Sequence, residues 1–126
     1  LEAIRKKTID AYWAEHTDEK MALDAEKKTL VEKVENLNSE IASLPEVKAE
    51  AQIEAKIQAL QQEKSALGLS KGKEKKALQE QIDNLVSGDL EKAKASREAA
   101  VSPIQAQIDV ANARIAEIDE ELTKDR

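Results

Sequence analysis

An apolar spacing of three and four residues recurs along almost the whole chain and limits what it can fold into. It runs through Ile9, Trp13 and His16, then Leu23, Leu30, Val34, Leu37, Ile41 and Leu44. It resumes at Ile53, Ile57, Leu60 and Leu67, and again at Leu78 and Leu85 with Ile82 beside them. The cleanest stretch is Ile104, Ile108, Ala111, Ile115, Ile118 and Leu122. This period gathers apolar side chains on one face of an α-helix, whereas no comparable run alternates with the period two of a strand. The chain is therefore expected to be all-α.

The stripe is narrow. Mostly two positions in seven are large and apolar, with alanine widening the seam. A helix in a globular bundle usually presents about three in seven, and two in seven is the seam of a coiled coil. Composition agrees. Charged residues make up 37% of the chain and aromatics 2%, with no Phe, so the bulky side chains that fill large cores are nearly missing. The polar faces carry helix-supporting pairs at i, i+4: Glu2–Lys6, Asp24–Lys28 and Glu120–Lys124.

Four places punctuate the pattern. Ser43-Leu44-Pro45-Glu46 reads as a capping box with Pro in the first turn. Gly68-Leu69-Ser70-Lys71-Gly72 reads as a turn. Ser87-Gly88-Asp89 is able to end one helix and cap the next, and the stripe changes phase there and near Pro45. Pro103 is the weakest break, because the stripe keeps its phase across it.

Two architectures fit these marks. The first is an antiparallel coiled-coil hairpin treated as a single segment, 1–126: an arm over 1–66, a tip at 67–72 and a return arm over 73–126. One register then pairs Leu60 with Ile82, Ile57 with Leu85, Ile41 with Val101 and Val34 with Ile108. The second is a three-helix, spectrin-like bundle with turns near 44–46 and 87–89, which pairs Val34 with Ile53 and Ile57 with Ile118. Heptads repeat, so both registers match. The bundle spares the chain an interior Pro and Gly, worth roughly 3 and 1 kcal/mol. It also places Ser70–Lys76, which holds no large apolar residue, in the middle of a helix with two neighbours. The hairpin is the reading adopted, with the bundle as its alternative. Lys48, Lys94 and Arg97 then fall near the seam as a sparse waist. The helical pattern is running at both ends, which are read as cuts through helices that continue into a larger protein.

Chemistry-bearing constellations are sparse. Gly68-x-x-x-Gly72-Lys73-Glu74 lacks the four-residue spacing, the hydroxyl after Lys and the preceding strand of a phosphate-binding loop. His16 has no second His at metal-ligand spacing. Glu117, Asp119, Glu120 and Glu121 are spread around a helix, where no pocket desolvates them. No cysteine is present, which excludes disulfides and thiolate metal sites and leaves the compartment open. No catalytic, cofactor-binding or metal residue is expected, and no enzyme.

Two sites are candidates for contact. Lys64, Lys71, Lys73, Lys75 and Lys76 make a positive tip on a chain of net charge −6, suited to an acidic partner or an anionic surface. Tyr12 and Trp13, the only aromatics, either anchor a partner or pack at the end of the arm. Acidity and the lack of aromatics among the lysines argue against specific nucleic-acid binding, and no stretch is apolar enough for a transmembrane span. The expected function is a structural spacer or protein-interaction coiled coil within a larger protein, joined to protein partners, the rest of its own chain or a second copy. The alternative is a binding module whose lysine tip does the docking.

Overall fold

The computed structural model describes residues 2–126, and the protein is all-α. The helices follow in order as α1 (Glu2–Glu15), α2 (Thr17–Ser43), α3 (Pro45–Ala66), α4 (Gly72–Asn84) and α5 (Glu91–Thr123). A π-helical segment, Leu85–Leu90, connects α4 to α5 without interruption.

Each departure from regular helix has a local cause. At Leu44 a single residue is extended, with φ −62° and ψ 135°. Pro45 imposes this, because its ring crowds a helical conformation in the residue before it, while Pro itself is tolerated at the first helical position. The capping box expected from Ser43 and Glu46 is thus displaced: Leu44 occupies the cap of α3, with no side-chain cap hydrogen bond. A second one-residue break, at His16, has no counterpart in the apolar pattern. His16 Nδ1 lies 2.7 Å from the Tyr12 carbonyl, the acceptor its own backbone N–H would use in a regular helix. That N–H instead donates to the Trp13 carbonyl at 3.2 Å.

The phase change near Gly88 also resolves differently from a turn. Buried positions step from Leu78 to Ile82, half-buried Leu85 follows, and the next buried residue, Leu90, comes one position late. A regular helix would put Asp89 on the seam. The π segment absorbs the extra residue and brings Leu90 inward. Ser87 Oγ donates to the Asp83 carbonyl at 2.8 Å beside it. The turn near 87–89 that the three-helix alternative requires is therefore helix. Pro103 likewise lies inside α5. The connection from α3 to α4 is a true turn, closed by the Lys71 N–H donating to the Gly68 carbonyl at 3.1 Å.

The chain forms two compact units. One comprises Leu1–Ser39 and Ile104–Arg126. Trp13, Leu37, Ile104, Ile108, Ala111 and Ile118 are its buried residues, and Ile118 is fully covered. Ion pairs flank this seam: Arg114 holds Glu26 through two hydrogen bonds, Nε–Oε2 at 2.6 Å and Nη2–Oε1 at 2.9 Å. Lys27 Nζ meets Asp119 at 2.6 Å, and Arg5 meets Asp125 at 2.9 Å. The other unit is Glu40–Pro103. Ile57, Ile82 and Leu90 form its core, with Ile53, Leu60 and Leu85 packed against them. Lys64 bonds Gln79, and Arg97 pairs with Glu50. In both units higher numbers on one segment meet lower numbers on the other, so the paired segments run antiparallel. Of the three cations expected near the seam, only Arg97 is half-buried; Lys48 and Lys94 are exposed. The break at Leu44 shifts the inward positions to Val47 and Glu50, which leaves Lys48 in solvent.

α5 ends at Thr123 rather than running to the last residue. Arg126 turns back so that Nη2 donates to the Glu121 carbonyl at 3.1 Å and its carboxylate at 2.8 Å. An arginine placed this way satisfies a carbonyl that the helix end leaves free.

Candidate functional site

The five tip lysines divide into two groups. Lys64, in the last turn of α3, is half-buried, and its Nζ donates to Gln79 Oε1 at 2.6 Å. Gln79 in turn donates from Nε2 to Asp83 Oδ1 at 2.8 Å. Lys75 is also half-buried, and together with Gln61, Lys64, Ser65 and Gln79 it lines an open groove between α3 and α4. Lys64 thus bonds across from α3 to α4. Lys71, Lys73 and Lys76 are exposed. Among the described residues no carboxylate forms a salt bridge with them.

The structure adds a residue that the apolar pattern passes over. Leu69, in the turn itself, is 99% exposed. It lies off the three-four spacing, between Gly68 and Ser70, so periodicity gives it no weight. The available signal is its context, an isolated large aliphatic in a turn of small residues beside lysines. Gly72 opens α4, with Lys71 at its cap and no side-chain cap hydrogen bond. The first turn of α4 carries Lys73 and Lys75, with Glu74 between them.

Tyr12 and Trp13 sit at the end of α1. Trp13 is buried, and its Nε1–H donates to the Leu122 carbonyl at 3.0 Å. Tyr12 is half-buried, stacked on His16 with centroids 4.0 Å apart and edge-on to Trp13 at 4.9 Å. The Arg126 guanidinium lies 4.0 Å from the Tyr12 ring centre, a cation–π contact. His16 is thus engaged with Tyr12 by both ring and Nδ1. Among the described residues no group of three His, Cys, Asp or Glu is placed to hold a metal ion.

Two arginine-paired carboxylates and one of their arginines are electrostatically perturbed. The hydrogen bonds from Arg114 hold the Glu26 carboxyl below its ordinary value, against the opposing effect of desolvation. Arg126 does the same to Glu121. Arg114 is pushed up by its hydrogen bonds to Glu26 and Glu117. These are ion pairs in contact with solvent. No helix among the described residues is long and apolar enough to cross a membrane.

Compared with known proteins, the chain matches no protein-family model, no curated protein and no solved structure.

Proposed function

We propose that the chain is a non-enzymatic coiled-coil spacer and interaction segment of a larger protein. The observation that carries this reading is the character of the interior. Every buried side chain among the described residues is apolar, and no polar or charged one is buried. Catalytic groups work where desolvation and fixed partners shift their ionisation, and the buried positions here offer apolar contact and, at Trp13, one indole N–H already bonded to the Leu122 carbonyl. Burial in a two-sided seam stabilises helix pairing while the outer faces remain available.

The interaction half of the reading draws on the outer faces. Ile4, Met21 and Val110 are 67%, 64% and 72% exposed in the first unit. Single exposed aliphatics are ordinary on protein surfaces, but on a chain with so few large apolar residues they are the natural contacts for another helix.

Small-angle scattering of the chain tests the spacer reading. A compact domain of 126 residues has a radius of gyration of about 14 Å. A spacer requires a value well above that at every concentration where sedimentation shows a single species. A value near 14 Å would contradict it.

A further inference from the structure

We propose that the turn between α3 and α4 docks against an anionic lipid surface, with Leu69 entering the headgroup layer and Lys71, Lys73 and Lys76 contacting the lipid phosphates. This goes beyond the spacer reading, which concerns the paired segments and is indifferent to what the turn touches.

The argument starts from Leu69. A leucine with 99% of its surface in water is an unspent source of binding energy at the apex of a convex turn. Its neighbours Gly68, Ser70 and Gly72 are small, so nothing bulky shields it from a flat surface. The exposed lysines follow at once. Lys71 caps α4, and Lys73 and Lys76 fall within the first turn and a half of the helix, about 8 Å along its axis. At 100° per residue, Lys73 and Lys76, three positions apart, lie about 60° from each other on one side of α4, and Lys71 precedes it. Cations gathered on one side next to an exposed leucine suit an approach in which the turn and that side of the first helical turn meet the surface together.

The residue types decide between a bilayer and an acidic protein. Protein interfaces concentrate their energy in Trp, Tyr and Arg, are depleted in Lys, and seldom have Leu as a hot spot. The turn has none of the first group and is built from the second. Lipid surfaces ask for what is present: long lysine side chains that extend their ammonium groups to phosphates, and an aliphatic group that enters the boundary beneath them. Each lysine near an anionic leaflet contributes about fivefold in affinity. Three such lysines therefore contribute about a hundredfold, and burial of Leu69 adds about tenfold.

The test is co-sedimentation of the whole chain with vesicles of phosphatidylcholine alone or mixed with phosphatidylserine. Binding is expected to the mixed vesicles alone and to fall as salt is added, since screening shortens the reach of exposed charges. The variant Lys71→Gln, Lys73→Gln, Lys76→Gln should lose about a hundredfold, and Leu69→Ser about tenfold. Both should keep the parent's circular dichroism, because these side chains are exposed. Equal binding by the variants, equal binding to neutral vesicles, or no binding to the mixed vesicles would overturn the proposal. Binding to poly-glutamate but not to the mixed vesicles would also overturn it, and would reassign the turn to an acidic polypeptide.

Discussion

The Trp13 indole N–H donates to the Leu122 carbonyl at 3.0 Å, joining α1 to the last turn of α5 across 109 positions of sequence. Trp13 is also buried, so one side chain supplies both apolar area and a directional bond to its unit. Trp13→Ala is expected to destabilise that unit by about 3–5 kcal/mol, the range for removing a buried aromatic. Trp13→Phe keeps most of the packing and should lose about 1 kcal/mol with the hydrogen bond. Urea unfolding followed by circular dichroism checks both values. Equal losses for the two variants would mean that the hydrogen bond carries the effect and packing little of it.

The π segment gives a sharper test. If it exists to absorb one surplus residue, deleting Gly88 should convert Leu85–Leu90 to regular helix with Leu90 still on the seam. The deletion is expected to be neutral or stabilising, whereas deleting a residue between Ile104 and Ile108 should unfold the first unit by breaking its buried spacing. Gly88→Ala should stabilise by about 0.5–1 kcal/mol, since a Cβ there meets no atom within 4 Å and glycine is a poor helix former. Comparable destabilisation by both deletions would contradict this account of the segment.

Glu26 and Glu121 contribute a pH dependence of known sign. Their folded-state carboxyls lie below the ordinary glutamate value because Arg114 and Arg126 bond the charged forms. A depressed folded pKa gives stability that is present above the unfolded value and lost as pH falls through the folded one. Stability should therefore decline on acidification below the ordinary glutamate range, while the contribution of Arg114, which is pushed up, is lost only as pH rises past the ordinary, strongly alkaline arginine range. Side-chain carboxyl NMR should show Glu26 titrating low, and Arg114→Gln should return it towards the ordinary value. A Glu26 titration unchanged by Arg114→Gln would contradict the pairing.

The helical class was legible in the sequence because one physical signal, the three-four spacing, persists through Leu37, Ile57, Ile82 and Ile118. The two phase changes were legible too, but their outcome was not. Sequence pattern records that Leu90 arrives one residue late, while a turn and a π segment both repair such a slip, and the choice depends on what the neighbouring helix offers. The break at His16 left no apolar signature, because a side-chain hydrogen bond to Tyr12 produces it. At the tip, five lysines looked equivalent in sequence. Gln79 engages Lys64 across the two helices, and these residues, fifteen positions apart, meet only because the turn brings α3 and α4 together. Leu69 was hidden by the very periodicity that exposed the core.

Antiparallel pairing inside each unit underlies the spacer reading, and electron–electron distance measurement tests it most directly. The chain has no cysteine, so paired spin labels are free of background sites. Labels on Thr29→Cys with Asn112→Cys report the first unit, and labels on Gln58→Cys with Gln81→Cys report the second; all four positions are exposed. Packed helices lie about 8–10 Å apart, so both pairs should give short, narrow distributions set by that spacing and the label tethers. A distribution centred at several times that spacing for either pair would contradict the account.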